Sequence, residues 1–349
     1  MSGARPRPGL RDVEPYEAPQ LEVKARLNTN ECPYPLPPAF GDELARAVRG
    51  LSLNRYPERE AEELRSRLAE RNGHALDGTW VANGSNEILM QLLQAYGGPG
   101  RRVALFEPTY GMHSRLAWVT NTELVPVTLD EPWRIGTQDV MEAFAQRPDV
   151  VFVCSPNNPT GNTQSVEVVR DLAEEGSALV VVDEAYIEFG GESAVPLLTQ
   201  HANVVVVRTF SKAFALAGAR LGYCLAASDV VQDLRRVRLP YHLSSLTQAA
   251  GLVALDHHEE ALEILAAIRA ERDRILEALP ALGVEAFGSE SNFVLFRPPK
   301  PAQQVWQALL DRSVLVRDFT NLVPECLRVT AGTPEEVDLF LSALEEVLR

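Results

Sequence analysis

The chain has 349 residues, 46% hydrophobic and 23% charged, which are globular proportions that exclude an extended disordered chain and a coiled coil. Its formal net charge is −15, with no long basic stretch, which excludes a general binder of nucleic acid or anionic membrane. The four cysteines lie 70 or more positions apart, which rules out zinc-ribbon spacing and a disulfide framework and points to a reducing cytoplasm. No apolar run approaches the roughly 18 residues a membrane-spanning helix needs.

In chain order, the first 40 residues are proline-rich and weakly periodic, and read as an arm lying against another surface. One theme then recurs: a short apolar run, a polar turn and helical periodicity. Thr79–Ala82 leads into Asn83-Gly84-Ser85-Asn86 and a helical 88–96, and the run at 103–106 leads into Glu107-Pro108-Thr109-Tyr110. Val150–Cys154 leads into a Pro- and Asn-rich turn at 155–161, then a helical pattern from Val166. The runs at 178–182 and 204–207 lead into Asp183-Glu184-Ala185-Tyr186 and Arg208-Thr209-Phe210-Ser211-Lys212. Apolar runs without alternation suit strands buried on both faces, and their alternation with helices predicts a mostly parallel α/β sheet. After Pro240 the pattern changes to an α+β unit: one long helix or two consecutive ones over 246–279, strands near 291–297, 314–317 and 326–330, and helices Ala302–Leu310 and Pro334–Leu348.

Ligands of open parallel sheets bind beyond the carboxyl ends of the strands. The residues to examine are therefore Ser85, Asn86, Tyr110, Asn157, Asp183, Tyr186, Ser211 and Lys212. Asn83-Gly84-Ser85-Asn86 suits either an ordinary helix cap or an anion site made by free N–H groups and the helix dipole. Arg220, eight residues after Lys212, reads alone as a surface ion pair. Asp183, at the end of an apolar run, is either a helix cap or the partner of a protonated ring nitrogen. Lys212 is either solvated or an amine with a lowered pKa, suited to condensing with a carbonyl. Tyr110 and Tyr186 serve packing equally well. Taken together, the set describes a flat phosphorylated ring with a protonated nitrogen, a phenolic oxygen and an aldehyde, which is pyridoxal 5'-phosphate. The chain lacks GxxxxGK, GxGxxG, HExxH and GxSxG.

The segments SPNNPTG at 155–161, VDEAYIEF at 182–189 and RTFSKAFALAGAR at 208–220 resemble the signatures of pyridoxal-phosphate enzymes of the aspartate-aminotransferase fold, fold type I. More narrowly the chain resembles the class II histidinol-phosphate aminotransferases, through VEPY at 13–16, LNTNECPYP at 27–35, NRYPE at 54–58, PTYGM at 108–112, SNF at 291–293, VRDF at 316–319 and CLRVTAGT at 326–333. It departs from the family's usual pattern at Asn86, where Asp is common, and at 240–244.

The resemblance implies an N-terminal arm (1–45) contributing to a small domain, a large cofactor-binding domain (46–245), and a linking helix with a small C-terminal domain (246–349). It implies that Lys212 carries the cofactor, Asp183 pairs with the ring nitrogen, Asn157 and Tyr186 bond the ring's 3-oxygen, and Tyr110 stacks on the ring. Backbone N–H groups of Ser85 and Asn86, with Ser211 and Arg220, hold the phosphate. Tyr56 reaches that phosphate from the neighbouring subunit of a homodimer with composite sites. Tyr16, also from the neighbour, with Arg317 and Arg328, binds the substrate phosphate or the carboxylates of glutamate, and Asn30 and Asn292 line the substrate side. No metal is implied. The implied reaction moves an amino group between L-histidinol phosphate and 2-oxoglutarate in histidine biosynthesis. Aromatic amino-acid transamination and threonine-phosphate decarboxylation are the alternatives on this scaffold, and a non-catalytic regulatory domain is disfavoured because no basic helix-turn-helix is attached.

Overall fold

The computed structural model describes residues 7, 9, 10, 13, 15 and 18–349; Tyr16 lies outside the described residues. The strands in chain order are β1 (Ala25–Arg26), β2 (Thr79–Ala82), β3 (Arg102–Glu107), β4 (Glu123–Thr128), β5 (Val150–Cys154), β6 (Leu179–Asp183), β7 (Val204–Thr209), β8 (Gly222–Leu225), β9 (Glu285–Ala286), β10 (Phe293–Arg297), β11 (Val314–Leu315), β12 (Arg317–Asp318) and β13 (Leu327–Thr330). Seven of them form one sheet in the order β2-β8-β7-β6-β5-β3-β4. The pairs from β4 through β7 are parallel, while β8 runs antiparallel to both its neighbours, so the sheet is mostly parallel as expected.

The central runs form strands because both of their faces are covered. Val151, Val153, Val180, Val182, Val204 and Val206 pack into one cluster with Val140, Val169 and Leu172 of helices Thr137–Ala145 and Val166–Glu175. The alternate residues Val150, Phe152, Leu179, Val181, Val205 and Val207 pack on the other face with Leu89, Leu92 and Val231 of helices Ser85–Tyr96 and Ser228–Val237. Period-two side chains thus feed two separate cores from uninterrupted apolar runs.

The C-terminal part forms a four-stranded antiparallel sheet, β12-β13-β10-β9, covered by helices His258–Ala281 and Pro334–Leu348. The stretch at 246–279 resolves into two consecutive helices, Ser245–Asp256 and His258–Ala281, broken at His257. The arm docks on this part through parallel pairing of β1 with β11. Among the described residues no helix is long and apolar enough to cross a membrane.

Candidate active site

The turns after β2, β3, β5, β6 and β7 open on one cavity of about 430 Å³, closed from the other side by residues 28–30, 317–319, 321, 322 and Arg328. Asn30, Ser85, Asn86, Tyr110, Asp183, Tyr186, Ser211, Lys212, Arg220, Arg317 and Arg328 all line it.

Lys212 sits three residues past β7, its Nζ donating to Thr29 O at 3.1 Å and lying 5.8 Å from the Tyr186 ring centroid. Desolvation of the amine, then the Arg328 and Arg220 charges, pull its pKa from 10.5 down to about 8, against an opposing pull from Glu31. Asp183 ends β6 and is 1% exposed. One carboxylate oxygen accepts Ala185 N–H at 3.2 Å and the other lies 3.1 Å from Nε2 of the fully buried His113. Because an ionised carboxylate only accepts, Nε2 is the protonated nitrogen of that pair. His113 in turn packs edge-on to Tyr110, with ring centroids 5.5 Å apart, and against Phe152. Sequence reasoning overlooked His113. The one signal for it is its place three residues after Tyr110, one helical turn along.

Four groups converge at the cavity end nearest helix Ser85–Tyr96. That helix starts with no side-chain cap, so the N–H groups of Ser85 and Asn86 face outward. Gly84, at φ 80°, occupies the left-handed region, and a Cβ there would sit 2.8 Å from Arg220 Nη2. A Cβ on Gly222 would sit 2.4 Å from Ser85 N, so glycine at both positions lets backbone and guanidinium close up. Arg220 Nη1 lies 3.4 Å from Ser211 Oγ and donates to Ala217 O at 3.0 Å. Helix dipole, N–H donors, hydroxyl and guanidinium make a phosphate-sized anion cradle.

At the opposite end Arg317 and Arg328 stand directly across from each other in β12 and β13. Arg328 is 4% exposed, its guanidinium 4.9 Å from the ring centroids of both Phe293 and Phe319, donating to Asn158 Oδ1 at 2.5 Å and Asn28 O at 2.9 Å. Like charges face to face in a sheet repel each other; here they make a second anion pocket. Asn158 escaped sequence reasoning because the turn offered Asn157 beside it, and Asn28 because Asn30 stands two residues on in the same segment.

Three expected residues stand elsewhere. Asn157 lies behind the wall, its amide hydrogens engaged by Pro108 O at 2.8 Å and Thr160 Oγ1 at 2.7 Å, and its Oδ1 by Thr109 Oγ1 at 3.1 Å. Asn292 backs the segment 28–30, donating to Asn30 O at 3.2 Å, and its buried Oδ1 has no hydrogen-bond partner among the described residues. Tyr56 is 78% exposed and stacks on Tyr241, away from this cavity in its own chain. Among the described residues no cluster of metal-ligating side chains occurs.

The family described as aminotransferase class I and II matches residues 22–344. The chain is 50% identical to the histidinol-phosphate aminotransferase of Frankia casuarinae, with 98% of this chain and 90% of the relative covered. It is 49% identical to that of Thermobifida fusca, with 97% and 94% covered. The crystal structure of histidinol-phosphate aminotransferase from Sinorhizobium meliloti in complex with pyridoxal-5'-phosphate superimposes with a TM-score of 0.91 at 25% identity, covering 100% of this chain and 98% of that one.

Proposed function

We propose, from the premise that this chain belongs to the class I and II aminotransferase family, that it transfers an amino group between L-histidinol phosphate and 2-oxoglutarate. The products are imidazole acetol phosphate and L-glutamate, in histidine biosynthesis. The observation that carries this reading is one cavity holding a low-pKa lysine, a buried carboxylate and two separate anion pockets.

Pyridoxal phosphate fits this cavity on its geometry. The cradle of Ser85, Asn86, Ser211 and Arg220 matches a phosphate; Lys212 offers an amine whose pKa, lowered to about 8, leaves far more of it unprotonated near neutral pH than in an ordinary lysine; Asp183 offers a desolvated anion to a ring nitrogen. When bound, the cofactor supplies an aldehyde that condenses with amines and a ring that accepts the electron pair released at the substrate's α-carbon. Lys212 is the group placed to take the proton from that carbon and, as the conjugate acid, to return it, a role suited to a group whose pKa lies near the working pH. Asp183, oriented by His113 and Ala185 N–H, keeps a proton on the ring nitrogen. Tyr110 covers the ring, and Tyr186 donates to its 3-oxygen. Asn157 joins Tyr186 there only by releasing one of its present bonds.

Arg317 and Arg328 bind the phosphate of histidinol phosphate in one half-reaction and a carboxylate of glutamate or 2-oxoglutarate in the other. Planar guanidinium forks donate to either oxyanion. Arg328→Lys loses the bidentate fork and its fit between two rings, so KM for both substrates rises roughly ten- to a hundredfold with a smaller change in kcat. Steady-state kinetics with each substrate varied in turn checks this.

The second copy completes the site in this reading. Tyr56 at 78%, Leu53 at 63%, Leu239 at 73% and Leu246 at 45% leave apolar side chains exposed around the Tyr56–Tyr241 stack. A homodimer covers them and brings Tyr56 to the partner's phosphate cradle. Sedimentation gives the mass of two chains, and Tyr56→Ala weakens cofactor binding roughly tenfold; a single-chain mass at micromolar concentration overturns this. The division into arm, large domain (46–245) and small domain (246–349) belongs to the same reading. So does a cytoplasmic location, supported by four free cysteines.

Purified protein loaded with pyridoxal phosphate tests the whole. Histidinol phosphate shifts the bound-cofactor absorbance to that of the pyridoxamine form, and 2-oxoglutarate restores it. No shift with histidinol phosphate, together with carbon dioxide release from threonine phosphate, replaces this reading with the decarboxylase.

A further inference from the structure

Thr330, at the end of β13, is buried, and its backbone N–H is spent on Leu27 O at 2.9 Å. Its hydroxyl meets a single residue, twice. It accepts the Asn30 backbone N–H at 3.1 Å and lies 3.0 Å from Asn30 Oδ1. The far end of the same amide, Nδ2, lies 2.9 Å from Tyr186 Oη. Asn30 holds φ 55°, in the left-handed region that Asn tolerates, and its carbonyl accepts Asn292 Nδ2 at 3.2 Å. Backbone and side chain of Asn30 are thereby pinned at both ends.

A side-chain amide can sit either way round, and the two orientations give Tyr186 opposite roles. With the oxygen toward Thr330, the single hydroxyl hydrogen is donated to Oδ1, Nδ2 donates to the phenol oxygen, and the phenol keeps its own hydrogen for the cavity. With the amide reversed, Oδ1 takes the phenol's hydrogen, and the buried Thr330 hydrogen has no acceptor among the described residues. A buried donor without an acceptor is costly, so the first orientation prevails. Burial also pushes the Tyr186 phenol above its usual range, which keeps it protonated and able to donate.

We propose that Thr330 is a positioning residue whose hydroxyl sets the Asn30 amide and so aims the Tyr186 O–H into the cavity as a hydrogen-bond donor. The inference rests on the cofactor reading above, in which the acceptor is the 3-oxygen of the pyridine ring. It gives Asn30, which the resemblance implied on the substrate side and which lines the cavity, the further role of a relay between Thr330 and Tyr186.

The test is a pH titration of the absorbance of lysine-bound pyridoxal phosphate in purified holoenzyme without substrate, for wild type, Thr330→Val, Thr330→Ser, Tyr186→Phe and the Thr330→Val/Tyr186→Phe pair. Donation to the 3-oxygen draws charge from it and weakens its hold on the proton at the neighbouring nitrogen, so losing the donor raises the midpoint. Thr330→Val shifts the midpoint upward by roughly half to one pH unit. Thr330→Ser keeps the wild-type midpoint, and adding Thr330→Val to Tyr186→Phe gives no further shift. Thr330→Ala replaces the valine variant if the latter does not fold. An unchanged midpoint in Thr330→Val or Ala, or an equal shift in Thr330→Ser, overturns the proposal. A wild type that shows the absorbance but does not react with histidinol phosphate removes the substrate assignment alone, and the midpoints still decide the role of Thr330. A wild type that forms no such absorbance removes both.

Discussion

Lys212→Ala abolishes transamination, with kcat falling roughly 10⁴-fold or more, because one substitution removes both the amine that holds the cofactor and the base that moves the α-proton. The geometry leaves no substitute. Nζ projects into the cavity toward Thr29 O, and the other cationic groups lining it, on Arg220, Arg317 and Arg328, are guanidiniums rather than primary amines. The variant still takes up pyridoxal phosphate through the anion cradle, but without the absorbance of the lysine-bound form; a variant retaining more than about a hundredth of wild-type turnover contradicts the assignment.

The same lysine gives the cofactor-free protein a pH signature. Its folded pKa of about 8 lies below the ordinary 10.5, so between those values the unfolded chain binds more protons and stability rises with pH. Below about pH 8 the cost of burying the ammonium is fully present. Cofactor-free Lys212→Met, which lacks that ammonium, therefore melts above cofactor-free wild type at pH 7, and the gap closes as the pH approaches 10.5. Thermal melts across that range check the direction.

Legibility from sequence followed local chemistry closely. The β5, β6 and β7 runs were readable because strands covered on both faces need uninterrupted apolar residues. β4 was not, since it lies at the sheet edge, contains Pro126 and alternates exposed with buried positions. β8 was hidden because it is a four-residue strand opening on Gly222, in a segment where the Lys212–Arg220 motif dominates. Helices Pro38–Arg49 and Glu62–Arg71 went unread, the first carrying Gly41 inside it and the second being strongly charged.

The cofactor side of the site sits at strand ends, which the parallel-sheet rule locates directly. Groups that act on other groups were illegible for a different reason. His113 reaches Asp183 across 70 residues of chain, and Thr330 reaches Asn30 across 300. No spacing rule connects such pairs. The opposition of Arg317 and Arg328 likewise follows from strand register rather than sequence separation.

Asp183→Ala carries the other large effect: kcat falls roughly 10³-fold while the cofactor stays bound. Lys212 and the phosphate cradle, which supply the attachment, do not touch Asp183, so the lysine-bound absorbance persists as turnover drops. A nearby desolvated anion is what keeps a proton on the ring nitrogen, and a ring without that proton is a poor acceptor of the electron pair from the α-carbon. Asp183→Asn separates charge from shape. The amide keeps nearly the same volume in the 1%-exposed position but has no charge, so it should be nearly as slow as the alanine variant. A rate near wild type for Asp183→Asn would show that hydrogen bonding rather than charge does the work. Asp183→Ala also removes the acceptor of His113 Nε2, which the amide oxygen of Asp183→Asn still supplies, and a buried donor left alone costs about 1–3 kcal/mol. His113→Ala in the Asp183→Ala background therefore regains part of the lost melting temperature without regaining turnover. Recovery of activity in that double variant would mean that the histidine, and not the carboxylate, governs the ring nitrogen.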